Sequence, residues 1–317
     1  MRSRALGGAL QGRAESTLGR MSVDAEKAGA GDPFTTHRSL LFTVAYEMLG
    51  SAADAEDVVQ DAWLKWDAVD QREVRDPRAF LVRVVSRTAL DRLRTVSRRR
   101  EDYVGPWLPE PLVTARDVAE DVELADSVSI AMMLVLETLT PTERAVFVLR
   151  EVFGLDYDEL AEAVDKSPAS VRQIAHRARS HVAARRPRGD VEPGQARGVF
   201  EAFQRAVTTG DLQGLVDVLA PDVVMLGDGG GIKQALAHPV LGADKVSRLL
   251  LGGFSRFGAI TFSPVDINGR PALIVHLDGE VDSILTVEVE DGLITGVYAV
   301  RNPEKLGRIG TETDVSR

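Results

Sequence analysis

The hydrophobic pattern of this chain changes near residue 190, and the change is incompatible with one uniform fold. Before it, apolar residues recur at helical spacing, for example in the stretch 40–49. After it, short runs rich in Val, Ile and Leu are separated by Asn268-Gly269, Asp278-Gly279 and Asp291-Gly292, which are dipeptides that favour hairpin turns. The length of 317 residues also exceeds what one core usually serves. We therefore expect a multidomain chain of all-α modules followed by an α+β domain, with helices packed on a curved antiparallel sheet.

Breaks in the pattern suggest where the domains end. The segment 105–111 contains three prolines, which forbid a regular helix and favour an extended path, and 187–194 reads as a second linker. Within the first module, Asp54 is predicted to cap the second helix. We divide the chain into residues 1–31 as a disordered leader, 32–103 as a bundle of three or four helices, 104–124 as a linker, 125–187 as a second helical module, 194–306 as the α+β domain and 307–317 as a tail. Translation starting at Met1 and at Met21 are both compatible with this division.

Charge is segregated along the chain, although the net charge of −10 argues at first against a polyanionic partner. Residues 80–100 carry seven arginines and one acid, and residues 166–188 carry seven basic residues and no acid. Between them, residues 101–126 carry eight acids and one arginine. Two cationic modules on either side of an acidic linker are typical of a protein that contacts nucleic acid.

The composition excludes several kinds of site. Without cysteine, the chain can form neither a disulfide framework nor a thiolate zinc site, and we expect no metal and no cofactor. No stretch approaches the roughly 20 apolar residues of a membrane-spanning helix. We therefore expect a soluble protein without a membrane partner.

The second module has the spacing of a helix-turn-helix. The run Thr140-Pro141-Thr142-Glu143 predicts a helix that starts with a capping box. Asp156 precedes a short helix, and after a turn at Asp165-Lys166 the chain starts a new helix at Ser167-Pro168. This last helix is predicted to enter the major groove of DNA. Its outward residues, which we expect to contact DNA, are Ser170, Arg172, Gln173, His176, Arg177 and Arg179.

Over residues 33–186 the chain resembles extracytoplasmic-function sigma factors, the smallest factors of the sigma-70 type. The segment Asp54-Ala55-Glu56-Asp57-Val58-Val59-Gln60-Asp61-Ala62-Trp63 is similar to the region 2 segment that docks on RNA polymerase. The arginine-rich helix is similar to the one that melts and reads the minus-ten element, and the helix-turn-helix to region 4, which reads the minus-thirty-five element. The resemblance implies polymerase binding by Asp54, Glu56, Asp57, Gln60, Asp61 and Trp63. It implies DNA binding by Arg83, Arg87, Arg92, Arg94, Arg98 and Arg99.

Further motifs narrow the resemblance to a sigma-J-like group with a C-terminal extension similar to SnoaL and NTF2 domains. Trp107-Leu108-Pro109-Glu110-Pro111 is similar to the linker signature of that group, and Asn302-Pro303-Glu304-Lys305-Leu306 to its C-terminal signature. Gly227-Asp228-Gly229-Gly230-Gly231 with Lys233 resembles its glycine-rich motif, with Ile232 as an interruption. The resemblance implies an NTF2-like cone that contacts the linker and the sigma modules and modulates them. The regulatory residues implied are Trp107, Leu108, Pro109, Glu110, Pro111, Asp228, Gly229, Gly230, Gly231, Lys233, Asn302, Pro303 and Lys305.

The sequence thus predicts a cytoplasmic sigma factor that directs core RNA polymerase to promoter DNA and catalyses no reaction itself. One alternative is a polymerase-independent helix-turn-helix regulator with a domain that senses a small ligand. Another is a fused SnoaL-like enzyme, whose pocket would gather His238, His276, Asp228 and Asp282 as acids or bases. The promoter sequence, the inducing signal, any ligand and the oligomeric state are left open.

Overall fold

The computed structural model describes residues 31–100, 102–115, 118, 121–185, 193–254 and 259–317. Apart from Gly31, the predicted leader lies outside the described residues. The first helical module comprises α1 (Pro33–Leu49), α2 (Ala52–Asp67), a 3₁₀ turn (Gln71–Glu73) and α3 (Pro77–Arg100). The second comprises α4 (Val122–Val128), α5 (Ile130–Glu137), α6 (Pro141–Phe147), a π-helical turn (Val148–Val152), α7 (Tyr157–Val164) and α8 (Pro168–Ala183).

Capping residues set the start of the helices in the first module, and one prediction about them is wrong. Asp54 does not cap α2. The N-cap is Ser51, whose hydroxyl accepts a hydrogen bond from the backbone N–H of Asp54. The reason is that α1 ends at Gly50 with φ of +68°, so the chain is already positioned to start the next helix one residue later. Asp54 lies in the first turn of α2, where its charge still favours the helix.

The helix-turn-helix of the second module is confirmed. Capping boxes are present at Thr140 with Glu143 and at Asp156 with Glu159. Helix α7 ends at Asp165, which adopts φ of +54°, and Ser167 caps α8. These local signals explain why the two helices and their turn were predictable from residues that are close in sequence.

The two helical modules share one hydrophobic core. Buried residues of the first module, including Trp66 and Tyr46, belong to the same cluster as Leu149 and Val164 of the second. Helix α3 packs on α6 and α7. The buried guanidinium of Arg144 crosses the interface, because its Nε donates to the backbone oxygen of Glu47 at 3.0 Å. The modules are therefore docked on each other, side by side.

In the part of the chain that the structure describes, the C-terminal domain packs three helices on one six-stranded sheet. Its elements are α9 (Pro193–Thr209), α10 (Leu212–Val218), β1 (Leu219–Asp228), β2 (Val240–Leu241), α11 (Ala243–Phe254), β3 (Ile260–Ile267), β4 (Arg270–Leu277), β5 (Glu280–Glu290) and β6 (Leu293–Val300). The strand order is β2-β1-β6-β5-β4-β3. The order of two all-α modules followed by an α+β domain confirms the predicted fold class.

The expectation of an antiparallel sheet is wrong for one pair of strands. Strand β1 pairs with β6 in parallel, with Met225 opposite Val297 and Asp228 opposite Val300. The parallel pairing follows from topology: α11 and the β3–β5 meander lie between β1 and β6 in sequence, so β6 returns beside β1 in the same direction. Helix α11 was also not predicted, although Val246 and Leu250 have helical spacing and are buried.

The three predicted hairpin turns are confirmed. Asn268, Asp278 and Asp291 adopt φ between +50° and +53°, and the glycine after each also has positive φ. This is the geometry of a two-residue turn whose twist matches the adjoining strands. The turns join β3 to β4, β4 to β5 and β5 to β6.

The linker and the C-terminal segment run between the domains. Residues 104–115 contain no helix, and Val113 forms isolated bridges with Ile267 of β3 and with Glu312. Near the end of the chain, Val315 is buried in the core of the helical modules, and the N–H of Ser316 donates to Thr43 Oγ1 at 2.9 Å. Among the described residues, no helix has the length and apolar character needed to cross a membrane.

Candidate functional site

The acidic side of α2 is held in place by arginines from other elements. Arg92 of α3 bonds to Asp54 at 2.6 Å and to Asp57 at 2.7 Å. Glu56 pairs with Arg38 of α1 at 2.6 Å and with Arg308 of the C-terminal segment at 3.4 Å. Three of the residues predicted to bind polymerase therefore already have cationic partners, one of which comes from the end of the chain.

The rest of the predicted docking face is more open. Asp61 is exposed, Gln60 and Trp63 are half-buried, and the ring of Trp63 packs edge-on against Phe34. Leu64 is 60% exposed beside these acids. Leu64 was not predicted from the sequence, although an apolar residue on the polar side of an amphipathic helix is a signal for a binding surface.

The predicted DNA-binding arginines of α3 differ in their surroundings. Arg83 forms an ion pair with Glu162 of α7, and Arg94 pairs with Asp91 of its own helix at 3.0 Å. Arg92 is engaged with α2 as described, whereas Arg87 is exposed. The side chains of Arg98 and Arg99 lie outside the described residues. The ion pair with Glu162 places Arg83 against the helix-turn-helix. Glu162 therefore competes with a DNA phosphate for this arginine.

The predicted recognition helix α8 presents its polar side to solvent. Arg172, Gln173 and His176 are exposed, and together with Arg177 they line one shallow concavity. Arg177 and Arg179 are also exposed and make loose ion pairs of 3.7 and 3.6 Å with Glu143 and Glu151. Ser170, by contrast, is half-buried. The side of α8 predicted to contact DNA is therefore accessible, apart from Ser170.

A fully buried carboxylate, Asp228 at the end of β1, connects the C-terminal domain to the linker. Its Oδ2 accepts from the backbone N–H of Leu108 at 2.9 Å and from Lys305 Nζ at 2.7 Å. Its Oδ1 accepts from the Tyr103 hydroxyl at 2.7 Å and from the N–H of Gly230 at 3.0 Å. Four donors around one carboxylate compensate for the loss of its hydration.

The indole of Trp107 lies between the first helical module and the C-terminal domain. The guanidinium of Arg100 stacks 3.6 Å from its ring centroid, and Lys305 Nζ lies 4.3 Å from it. Burial lowers the pKa of Lys305 to about 8, and the charge of Asp228 opposes that decrease. The ring also approaches Gly50 so closely that a Cβ there would lie 2.5 Å from it. A side chain at position 50 would displace Trp107.

Glu110 of the linker binds the N-terminus of α2. Its Oε2 accepts from the N–H of Ala52 at 2.8 Å and from the Ser51 hydroxyl at 3.2 Å. Burial raises the pKa of Glu110, and the backbone donors of Ala53 and Ala52 oppose that increase. A carboxylate at a helix N-terminus is favoured by the helix dipole. The linker is thus tied to the helix that carries the predicted docking face. Its prolines Pro109 and Pro111 are buried beside Glu110.

The glycine-rich segment allows close approach of the backbone to its neighbours. A Cβ at Gly230 would lie 2.3 Å from the amide of Asn302, and one at Gly229 would lie 2.0 Å from the Lys233 carbonyl oxygen. Gly231 lies against Val104 of the linker. Asn302, which precedes the 3₁₀ turn that starts at Pro303, donates to the Tyr103 hydroxyl at 2.9 Å. Lys233 makes none of these linker contacts and bonds to Asp282 at 3.2 Å.

The Asn268-Gly269 turn joins all parts of the molecule, a role that sequence analysis missed. The buried amide of Asn268 donates to the Tyr46 hydroxyl of α1 at 2.7 Å and to the carbonyl of Val128 in α4 at 2.8 Å. Its Oδ1 accepts from the N–H of Leu112 in the linker at 3.0 Å. One side chain thereby contacts both helical modules and the linker. A hairpin dipeptide in sequence carries no signal for such a junction.

Comparisons with known proteins identify the family. The model of Sigma-70 region 2 matches residues 34–99, and that of Sigma-70, region 4, matches residues 129–182. The ECF RNA polymerase sigma factor SigJ of Mycobacterium tuberculosis is 39% identical over 287 residues, covering 86% of this chain and 91% of SigJ. This chain belongs to the extracytoplasmic-function sigma factor family.

Two further comparisons cover nearly the same share of this sigma factor as the match to the SigJ sequence does. The probable ECF RNA polymerase sigma factor SigI of M. tuberculosis is 34% identical over 279 residues, which is 87% of this chain and 94% of SigI. The crystal structure of SigJ superposes with a TM-score of 0.70 at 36% identity and covers 86% of this chain and 96% of that one. The similarity to SigJ therefore extends into the C-terminal domain and is not confined to the two sigma regions.

Family membership decides between the functions considered from the sequence. Sigma factors bind core RNA polymerase and promoter DNA, so the prediction of a sigma factor is confirmed and the polymerase-independent regulator is not favoured. The family is not an enzyme family. Of the side chains considered for catalysis, Asp282 lines a cavity, whereas Asp228 binds the linker, His276 bonds to Ser263 at 3.1 Å and His238 is exposed. The four side chains that the enzyme alternative requires in one pocket therefore do not meet there.

Proposed function

We propose that this sigma factor is held in an inactive arrangement by its C-terminal domain, and that its helical modules must separate before it initiates transcription. In the active form, α2 binds core polymerase, α3 reads the minus-ten element and α8 reads the minus-thirty-five element. Because its partners are polymerase and promoter DNA, we place its action in the cytoplasm.

The observation that carries the proposal is the contact between the two DNA-reading modules. Arg83 of α3 is paired with Glu162 of α7, and both modules belong to one core. Promoter elements 25 base pairs apart are separated by about 85 Å, at 3.4 Å per base pair. Two small modules docked side by side do not span that distance, so binding to both elements requires the interface to open.

The contacts of the C-terminal domain support its role in keeping the modules docked. Asn268 bonds to both modules at once, and Arg270, two residues later, pairs with Asp126 of α4. Asp228 and Lys305 bind the linker that connects the modules. A domain that prefers the docked arrangement shifts the equilibrium away from the separated one by the free energy of these contacts.

The end of the chain adds a second contribution, because it lies against the proposed docking face. Arg308 pairs with Glu56 on α2, while Asp61 and Leu64 on the same helix remain exposed. We propose that polymerase first contacts the exposed part and then displaces Arg308 from Glu56. An exposed apolar residue surrounded by acids fits a docking surface whose partner is basic at its rim.

A matched pair of turn variants tests the proposal. Asn268→Gly keeps the positive φ of its hairpin turn and removes the side-chain bonds at the junction, whereas Asp291→Gly makes the same kind of change in an exposed turn of the same sheet. Each variant is assayed for transcripts in vitro with core polymerase at a limiting concentration of sigma factor, on promoters selected by genomic binding.

We expect Asn268→Gly to produce several-fold more transcript than the parent chain and Asp291→Gly to equal it. Equal or lower output from Asn268→Gly, with native folding, would show that the junction does not restrain the modules. Absence of polymerase-dependent transcripts from every form would contradict the proposed promoter activity as a whole.

A further inference from the structure

The side chain of Tyr157, at the start of α7, meets three arginines. Arg150 of the π-helical turn places its guanidinium carbon 4.7 Å from the ring centroid, and Arg172 of α8 places its own at 5.7 Å. Nη2 of Arg179, also on α8, donates to the Tyr157 hydroxyl at 3.4 Å. Two of these arginines are predicted from the sequence to bind DNA, whereas Tyr157 is not among the predicted residues.

The position of the Tyr157 ring is fixed by its neighbours. Asp156 caps α7 and forms a capping box with Glu159, so Tyr157 is the first residue of the helix. The half-buried ring packs against the core of the helical modules. Arg150, beside the ring, is held by a hydrogen bond of 2.6 Å from its Nη1 to the carbonyl oxygen of Leu155. Tyr157 is therefore a rigid surface that an exposed side chain of α8 can contact.

Among the arginines of α8, Arg172 depends most on this ring for its orientation. Its side chain is exposed and lines the shallow concavity of the helix. Arg177 and Arg179 have acidic partners at 3.7 and 3.6 Å, whereas Arg172 forms no ion pair with any residue that the structure describes. Its guanidinium lies within the roughly 6 Å over which an aromatic ring attracts a cation. The ring is thus the contact through which α7 orients Arg172.

The two α8 partners of Tyr157 occupy different parts of that helix. Arg172 is the fifth residue of α8, which begins at Pro168, and Arg179 lies about two turns further on. In a helix-turn-helix, the N-terminal residues of the second helix contact the base edges. The ring of Tyr157 therefore contacts the arginine that is placed to read a base, and its hydroxyl contacts one farther along the helix.

We propose that Tyr157 is a positioning residue for the reading of promoter DNA, which holds the Arg172 guanidinium in place for the N7 and O6 atoms of a guanine in the upstream element. An exposed arginine has many rotamers, and contact with a base edge selects one of them. A ring that already restricts the guanidinium reduces this loss of entropy and so strengthens the contact. The inference rests on the proposed reading of DNA by α8 and adds a residue of α7 on which that reading depends.

Electrophoretic mobility shift of promoter fragments with core polymerase and the full chain tests this role. Each base pair of the upstream element is substituted in turn, and discrimination is the ratio of the affinities for the original and the substituted fragment. Arg172→Ala is expected to lose discrimination at one guanine, which identifies the base that Arg172 reads. Tyr157→Leu should reduce discrimination about threefold at that same position and nowhere else, because the ring that orients Arg172 is gone.

Two further variants separate positioning from a general effect on the fold. Tyr157→Phe keeps the ring and should discriminate as the parent chain does. Phe153→Leu, the matched control, removes a buried ring from the same module and should also leave discrimination unchanged. Circular dichroism and thermal unfolding establish that the variants are folded, and Tyr157→Met replaces Tyr157→Leu if the latter is not.

The double variant Tyr157→Leu with Arg172→Ala distinguishes positioning from a separate contact of Tyr157 with DNA. It is expected to show the same discrimination as Arg172→Ala alone, because the ring acts through Arg172. Additive losses would overturn the inference, as would an equal loss from Tyr157→Phe and Tyr157→Leu. Unchanged discrimination in Tyr157→Leu would overturn it and leave the reading of DNA by α8 standing, whereas unchanged discrimination in Arg172→Ala would contradict both.

Discussion

Single buried polar residues hold the linker, and Asp228 has the largest number of partners among those described above. Its four hydrogen-bond donors come from Tyr103, Leu108, Gly230 and Lys305. Removing a carboxylate from such a site leaves a buried ammonium group without its counter-charge, which costs more than an ordinary hydrogen bond.

Asp228→Asn is expected to lower the free energy of unfolding by about 3 kcal/mol, because Lys305 is left buried without a countercharge. It should also make Trp107 more accessible to acrylamide quenching, since Lys305 and Leu108 no longer hold the linker. Urea denaturation and fluorescence quenching measure the two effects. Asp282→Asn, at an ion pair in the same domain that does not touch the linker, is the control and should leave the quenching unchanged.

Glu47 makes the stability of the folded chain sensitive to pH. Burial raises the pKa of Glu47 to about 8. A hydrogen bond from Ser127 of α4 and the charge of Arg144 oppose the increase. The second carboxylate oxygen, Oε2, has no hydrogen-bond partner in the structure. The unfolded chain loses this proton near its ordinary pKa of 4.5, whereas the folded chain keeps it until about 8. Unfolding therefore releases a proton between these values, and the contribution of Glu47 to stability falls as pH rises.

We expect Glu47→Gln to flatten the decrease in unfolding free energy between pH 5.5 and pH 8. The comparison is made by urea denaturation at several pH values, with the surface variant Glu56→Gln as a control that keeps the slope. If the unfolding free energy of Glu47→Gln falls with pH as steeply as that of the parent chain, the proton that is released on unfolding comes from another group.

At the level of helices and strands, the amphipathic pattern predicted most of the architecture. The helix-turn-helix followed from caps at Thr140, Asp156 and Ser167, which act within three residues of themselves. The start of α2 was misassigned by a few residues, because Ser51 and Asp54 are both good N-caps and the left-handed Gly50 decides between them. The parallel pairing of β1 with β6 joins segments about 70 residues apart, so no local sequence pattern predicts it.

The exposed side of α8 carries a prediction about DNA. Arg172→Ala is expected to weaken binding to the upstream promoter element by about fivefold or more, because an arginine that reads a base edge contributes about 1–3 kcal/mol. Electrophoretic mobility shift with polymerase and promoter fragments measures this. Arg205→Ala, an exposed arginine of α9 in the C-terminal domain, is the matched control and should bind normally. A similar loss from both variants would indicate a general effect of charge.

At the level of the whole molecule, function depends on whether the two helical modules can part. Because the chain contains no cysteine, a pair of cysteines can be introduced without side reactions. Arg83→Cys with Glu162→Cys places one thiol on each module where the two side chains form an ion pair. A thiol-cleavable bismaleimide then locks the modules together.

The cross-linked protein is expected to show at least about tenfold less promoter-dependent transcription, because the modules must separate to reach both promoter elements. Cleavage of the bismaleimide cross-link by a thiol should restore the activity. The control is Arg197→Cys with Asp266→Cys, which joins two elements inside the C-terminal domain. Full activity of the protein cross-linked between positions 83 and 162 would rule out opening as a requirement.

Local chemistry in the sequence was enough to predict the helices, the hairpin turns, the helix-turn-helix and the order of the domains, since each depends on residues a few positions apart. The resemblance of three motifs directed attention to Trp107, Asp228 and Lys305 but did not say what they touch. The tertiary structure alone decided that Arg83 meets Glu162, 79 residues away, and that Asn268 meets Tyr46, 222 residues away. Such contacts are determined by how the faces of helices and strands pack against one another. Packing depends on the shape of every surface involved, so it leaves no short pattern in the sequence.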